Sequence, residues 1–241
     1  MSSQKRRWYE HCNIFPSRGR DRYKCEVTST PTKCIHVLAT PGYAPELCAI
    51  TIPRLSAYAS RIGADFNLIQ DRKFPDYPIN YERMQIYEAG RGYDWNINID
   101  ADMVIGSKLR DVTETTQKGQ VSIAMKYGLS THFHTTGNIF FERDGRDVGL
   151  VDALVVTSTF THDLWKPLAG DFESHKSLFK DREYRRISEY CLSLNLATYG
   201  LQYAGTFFPT DPIFHLGFTS GSVEDAAAIA RAKLREWGEE A

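Results

Sequence analysis

Two carboxylates one residue apart, Asp100-Ala101-Asp102, close the apolar run Trp95-Asn96-Ile97-Asn98-Ile99, and Met103-Val104-Ile105 continues the extended run. Where a strand ends and the backbone turns, two such acids can approach a single ion. Framed by apolar residues on both sides, they would be costly to bury without a compensating positive charge. Mg²⁺ and Mn²⁺ suit hard oxygen ligands and take few of them from protein, leaving coordination sites for phosphate and water. An ion held there would neutralise charge on a departing phosphate as a Lewis acid. Asp-x-Asp also arises in solvated surface turns; the apolar frame is what distinguishes this one.

The elements that must position the triplet are legible upstream. Ile35-His36-Val37-Leu38-Ala39 reads as a buried strand ending in the loop Thr40-Pro41-Gly42. Residues 46–62 carry Leu47, Ile50, Leu55, Tyr58 and Ile62 at helical spacing, and Gly63 closes the helix. Phe66–Gln70 is a second strand, Asp71–Pro78 a polar loop, Asn80–Gly90 a second helix, and Trp95–Ile99 a third strand. Strands alternating with helices predict a mostly parallel central sheet flanked by helices, an α/β fold. Ligands bind such sheets beyond the carboxyl ends of the strands, where the Thr40 loop and the triplet should meet.

Further along, Val121–Met125 and Asn138–Phe141 are predicted strands, and 147–158 and 183–197 predicted helices. Phe207–Leu216 is extended and broken by Pro209 and Pro212. Ser222–Trp237 is a helix that Ser222 can cap, with Asp225 at its third position. The reading divides the chain into an irregular arm, 1–33, a catalytic domain, 34–220, and a C-terminal helix, 221–241.

Composition sets the class. The hydrophobic share of 42% and charged share of 24% are ordinary for a globular protein of 241 residues. A net charge of −1 gives no overall field toward nucleic acid or an anionic membrane. No apolar run reaches the roughly 18–20 residues of a membrane span, and the opening MSSQKRRWYEHC lacks the apolar core of a secretory signal. A cytoplasmic enzyme is expected. The five cysteines form no Cys-x-x-Cys pair, and His11, Cys12, Cys25 and Cys34 fit no familiar zinc spacing, so reduced thiols are expected.

With these residues in view, Tyr93–Ile105, YDWNINIDADMVI, resembles the strand-plus-DxD signature of GT-A-fold glycosyltransferases. The likeness is to the glycogenin and lipopolysaccharide-galactosyltransferase type, and to small viral capsid-modifying glycosyltransferases. It runs loosely from Ile35 to Gly217, with the DxD block its specific part. It implies a GT-A-like nucleotide-diphospho-sugar transferase fold and transfer of a hexose or deoxyhexose from a nucleotide sugar, UDP-linked in the first instance. The acceptor would be a hydroxyl of a glycan or protein, and Mn²⁺ or Mg²⁺ the cofactor.

The resemblance also implies site residues. Thr40, Pro41 and Tyr43 would contact the nucleoside and Asp71 the base, while Arg83 would approach the donor. Asp100 would touch sugar or ribose as well as metal, with Ala101 beside it, and Asp102 would be the firmer ligand. His215, in Pro212-Ile213-Phe214-His215-Leu216-Gly217, stands where the family has a third metal ligand. No Lys-Pro-Trp follows Gly217; Phe218-Thr219-Ser220 stands there, and Ser220 or Arg83 would take over the contact to diphosphate. His134-Thr135-Thr136-Gly137-Asn138-Ile139-Phe140-Phe141 resembles the strand lining the sugar pocket, with Gly137 allowing close approach and Asn138 bonding hydroxyls. An alternative His132/His134 metal pair is disfavoured.

An acid or base near the acceptor is sought in Glu189, on a helix resembling the family's acid-bearing one, ahead of Asp211 and Asp171. Two other classes compete with this reading. A sugar-nucleotide nucleotidyltransferase should carry a Gly-rich, basic phosphate loop after the first strand, and Thr40-Pro41-Gly42-Tyr43 is not one. A non-catalytic carbohydrate-binding or interaction protein accounts for the aromatic content but not for the DxD in its strand.

Overall fold

The computed structural model describes residues 30–127, 140–143, 146–179, 183–207, 212–216 and 223–240. The elements lie in the compact unit Pro31–Ala241. In chain order they are β1 (Lys33–Leu38), α1 (Pro45–Arg61), β2 (Asp65–Ile69), a 3-10 segment Ile79–Gln85 running into α2 (Ile86–Ala89), β3 (Trp95–Ile99) and β4 (Met103–Ile105). Next come a 3-10 turn Val112–Thr115, β5 (Gln120–Tyr127), β6 (Phe140–Arg143), β7 (Arg146–Ser158), a 3-10 segment Thr159–Trp165 and α3 (Phe172–Lys176). A 3-10 turn Glu183–Arg186 leads into α4 (Ile187–Thr198), then β8 (Gln202–Phe207), β9 (Ile213–His215) and α5 (Val223–Glu236).

The main sheet has the order β2-β1-β3-β7-β5-β8, with β6 also on β7. β1 is parallel to β2 and β3, β8 is parallel to β5, and β7 runs antiparallel to β3, β5 and β6. Among the described strands of this sheet, six therefore point one way and β7 alone opposes them. β4 and β9 form a separate two-stranded ribbon.

Alternation along β1 and β3 sorts the two layers. Ile35, Val37, Trp95, Ile97 and Ile99 pack on one face with Leu55, Tyr58 and Ala59 of α1. On the other face, Tyr81, Met84, Trp165, Tyr190 and Leu192 cover Ile123 and Val155. α5 joins the first layer from outside, burying Ala226, Ala227, Ala230 and Leu234 against Leu47, Ile50 and Val104.

Three stretches differ from the sequence expectation. Residues 147–158, expected as a helix, lie within strand β7. Its Val-rich run is buried between β3 and β5, with Leu150, Val151, Ala153, Leu154, Val155 and Val156 all in the core. β-branched residues suit that pleated setting, and burial on both faces erased the alternation that would have announced a strand. Asn80–Gly90 forms, but its first half is 3-10, Ile79–Gln85, and only Ile86–Ala89 is α-helical. Finally, Met103–Ile105 does not continue β3: the chain turns at Asp100–Asp102 and leaves as β4 beside β9. Asn138, Ile139 and the capping Ser222 lie outside the described residues.

Candidate metal and donor site

The turn after β3 builds the centre. The Asp100 amide donates to the carbonyl of Ala153 on β7 (2.8 Å), and Met103 N–H closes the turn on the Asp100 carbonyl (3.0 Å). The hydroxyl of Thr51 on α1 fixes it from below by donating to the Ala101 carbonyl (2.7 Å). Antiparallel pairing then puts His215 of β9 opposite Met103 of β4, and Leu216 N–H bonds the Asp102 carbonyl (3.2 Å). His215 Nε2 consequently lies 3.5 Å from Asp102 Oδ2.

One ligand atom each from Asp100, Asp102 and His215 falls within 4.8 Å of the others. Two hard carboxylates and one imidazole on such a span fit a divalent cation with bonds of about 2.0–2.6 Å. The chain separation of 113 residues between Asp102 and His215 is closed by the β4–β9 ribbon.

The loop after β1 meets this centre. Tyr43 N–H donates to the Thr40 carbonyl (3.0 Å) across Pro41 and Gly42, and Gly42 has φ +84°. That is a type II turn, with proline at its second position and glycine where φ must be positive. Behind it a cavity of about 170 Å³ is lined by Leu38, Thr40, Tyr43, Ile79, Asn80, Arg83 and the triplet Asp100–Asp102. Burial, then Asp102 and Asp100, pushes the Tyr43 phenol up, so it stays a neutral donor.

Arg83 is the cation of the site. Three-residue winding places side chains at i and i+3 on one side, so Asn80 and Arg83 both face the cavity. Arg83 is buried and held on three sides: Nε donates to the Asn80 carbonyl (2.9 Å), Nη1 to the Asp152 carbonyl (2.9 Å). Nη1 also lies 2.7 Å from Asp152 Oδ2, and Nη2 lies 3.2 Å from Asp100 Oδ1. Burial opposes its charge, but Asp100, Asp152, Glu189 and Asp102 more than offset that and hold the guanidinium charged. Asp100 is pushed up by burial, against the pull of Arg83, with Asp152 and Asp102 adding to the rise.

The structure thus gathers Thr40, Tyr43, Arg83, Asp100, Ala101 and Asp102 around one cavity, with His215 at the metal cluster. Pro41 is exposed on the turn, outside the cavity lining. Asp71 is exposed at the end of β2; its carbonyl accepts from Gln85 (2.8 Å). Glu189 is buried on α4, 3.7 Å from Arg186, and does not line the cavity. Asp171 caps α3, accepting from the amide and hydroxyl of Ser174. Gly137, Asn138, Asp211, His132, His134 and Ser220 lie outside the described residues.

Sequence reasoning missed Asp152, Asn98, Asn80 and Ser188. Asp152 Oδ2 accepts from Ser188 Oγ (2.6 Å), its carbonyl from Asn98 Nδ2 (2.7 Å), and Asn80 Nδ2 donates to Ser188 Oγ (2.8 Å). The signal was present: Asp152 is the lone acid in the run Val148–Val156, and a lone acid in a buried strand needs a partner. Read as a helix, the same run could have exposed it.

No protein-family profile and no curated protein matches this sequence. Solved structures do match. A glycosyltransferase involved in the glycosylation of the major capsid of PBCV-1 aligns with a TM-score of 0.52 at 10% identity, over 84% of this chain and 100% of that one. The fold is GT-A-like. Other matches are more distant. A putative glucose-1-phosphate thymidylyltransferase from Bacillus anthracis has a TM-score of 0.42 at 13% identity, covering 83% of this chain and 95% of its own. The galactosyltransferase LgtC, in complex with donor and acceptor sugar analogs, has 0.38 at 12%, covering 71% and 73%. In this GT-A-like chain the triplet closes the strand beside β7, which runs antiparallel to it, and Asp152 reaches the site from β7.

Proposed function

We propose that the chain is a metal-dependent glycosyltransferase that moves a hexose or deoxyhexose from a nucleotide sugar, UDP-linked in the first instance, to a hydroxyl of a glycan or protein. The observation that carries this reading is the convergence of Asp100, Asp102 and His215 within 4.8 Å beside a cavity floored by the turn after β1. Those three residues would hold Mn²⁺ or Mg²⁺. A divalent cation bound there supplies Lewis-acid neutralisation of the leaving diphosphate.

The chain's own residues do the rest. Leu38, Thr40 and Tyr43 wall the space for the nucleoside, and Tyr43 offers a hydroxyl donor there. Arg83 keeps a fixed positive charge beside the triplet, where the departing diphosphate gathers negative charge. That charge substitutes for the absent lysine after Gly217. Gly137 and Asn138 are assigned to the donor sugar and Asp71 to the base. Asp211, four residues before His215, is the acid from which a base for the acceptor hydroxyl is drawn. Glu189, held beside Arg83 and Asp152, is assigned to charge balance. No described helix is long and apolar enough to cross a membrane, and we place the enzyme in the cytoplasm, where activated sugars are made.

The test is a donor screen that measures nucleoside diphosphate release from UDP-, GDP- and dTDP-sugars with Mn²⁺, Mg²⁺ or EDTA. Release that needs the metal supports the reading. Turnover indifferent to both EDTA and His215→Ala would remove the metal from the mechanism, and failure of every nucleotide sugar to bind would remove the transferase.

A further inference from the structure

Arg83 sits between two carboxylates and serves them unequally. It holds Asp152 through both the side chain (2.7 Å) and the carbonyl (2.9 Å), and reaches Asp100 through one longer contact (3.2 Å). Asp152 is itself fixed by Ser188 at 2.6 Å and, through its carbonyl, by Asn98 at 2.7 Å. Arg83 and Asp152 are each only 5% exposed, so water does little to screen or replace either partner.

We propose that Asp152 is the counterion that draws Arg83 away from Asp100, leaving the Asp100 carboxylate available for a divalent cation. This rests on the reading of Asp100, Asp102 and His215 as cation ligands. Arg83 is needed beside the triplet, yet a guanidinium free to make a two-bond fork with Asp100 would compete for the oxygens the cation requires. A second buried acid resolves that conflict by engaging Nη1 with both its carboxylate and its backbone carbonyl, which leaves only Nη2 to reach Asp100. It also sets the local charge. Arg83 balances only one of Asp100, Asp102 and Asp152, which leaves an excess of negative charge around the metal cluster. Burial and Asp152 push the Glu189 carboxyl beside them well above the usual carboxylate range.

Mn²⁺ affinity of the free full-length protein, measured by calorimetry and by electron paramagnetic resonance of unbound Mn²⁺, tests this without reference to turnover. Asp152→Asn should weaken Mn²⁺ binding at least about five-fold, since it both removes a charge and releases Arg83 onto Asp100. Ser188→Ala, which loosens Asp152 without altering charge, should weaken it less. Arg83→Gln should tighten Mn²⁺. With Arg83 already gone, Asp152→Asn should weaken Mn²⁺ binding less than it does in the wild type, because the part of its effect that runs through Arg83 is lost and only the charge removal remains. A purely structural Asp152 would instead lower the melting temperature and leave Mn²⁺ affinity unchanged in both Asp152→Asn and Ser188→Ala, which overturns the inference alone. A wild-type protein that binds no Mn²⁺ would overturn the metal reading and this inference together.

Discussion

Two buried polar clusters occupy the same face of the sheet, and they are built on opposite rules. Asn96 and Asn98, two residues apart on β3, belong to one each. In the first, Asn67 Nδ2 donates to His36 Nδ1 (2.9 Å), and the partners assign His36 Nε2 as the donor to Asn96 Oδ1 (2.9 Å). Asn96 Nδ2 passes on to the Gly90 carbonyl (3.1 Å) and toward His162 Nδ1 (3.5 Å), and His162 Nε2 ends the chain on the Tyr87 carbonyl (2.9 Å). These groups satisfy one another's hydrogen bonds. The second cluster, nearer the carboxyl end of β3, is charged: Arg83 against Asp100 and Asp152, with Glu189 beside them. Within it Asn80 Oδ1, Asn98 Oδ1 and Glu189 Oε2 are buried and lack a hydrogen-bond partner among the described residues.

The difference separates scaffold from site. A buried polar group left unpaired costs about 1–3 kcal/mol, so a scaffold closes its network, as the His36 cluster does. Unpaired acceptors and clustered like charges are retained where a ligand completes them, at the strand ends where ligands bind in such sheets. Removing a member should therefore damage stability in the first cluster and ligand handling in the second.

Asp102→Ala is the largest expected break. Turnover should fall on the order of 10³-fold, about 4 kcal/mol of lost transition-state stabilisation, with Mn²⁺ binding lost in parallel. The melting temperature should stay level or rise, because one of several crowded acids is gone. A variant that unfolds while the residual folded fraction keeps full Mn²⁺ affinity would place Asp102 in the scaffold instead.

The His36 cluster should answer to pH. Burial depresses the His36 imidazole to about 4, and only the Asn96 bond opposes this. The unfolded chain takes a proton near pH 6.5 that the folded chain refuses until about 4, so the unfolded state binds more protons in that window. Stability should fall as pH drops from 6.5 to 4, by up to about 3 kcal/mol. His36→Gln should flatten that part of a denaturation-versus-pH profile at the cost of lower stability at pH 7. An unchanged slope would show that the loss comes from other groups.

The half of the molecule that carries the Thr40–Tyr43 turn was legible because its signals are local. Ile35–Ala39, Phe66–Gln70 and Trp95–Ile99 are short apolar runs bounded by turn residues, and β1, β2 and β3 follow them within two residues. Asp100 and Asp102 stood out because charge at the end of an apolar strand has few bland explanations. His215 was reachable only through a family resemblance, since its place depends on β9 pairing with β4 across more than 100 residues. β7 was misread for a related reason. Buried on both faces, Leu150–Val156 has no period to show, and only its β-branched content and the preceding Asp144-Gly145, a pair typical of hairpin turns, argued for a strand. Losing β7 also hid Asp152, and with it the reason Arg83 is held where it is.

Glu189→Gln gives the smallest effect and divides the second cluster most finely. Burial, then Asp152, raises the Glu189 carboxyl well above its ordinary range, and Arg186 and Arg83 offset this only in part. The folded chain therefore keeps a proton that the unfolded chain releases above about pH 4.5, so the folded state binds more protons and stability declines as pH rises through that window. Glutamine cannot titrate and mimics the protonated acid. The variant should match wild type near pH 4.5 and exceed it at pH 8 by on the order of 1 kcal/mol. If Glu189 serves only charge balance around Arg83, kcat should stay within about two-fold at every pH, a change worth under 0.5 kcal/mol. A fall of 10²-fold or more, about 2.7 kcal/mol, with the basic limb of the pH–rate profile removed, would make Glu189 an acid or base for the acceptor. The boundary between scaffold and reacting groups would then run through α4 rather than along β3.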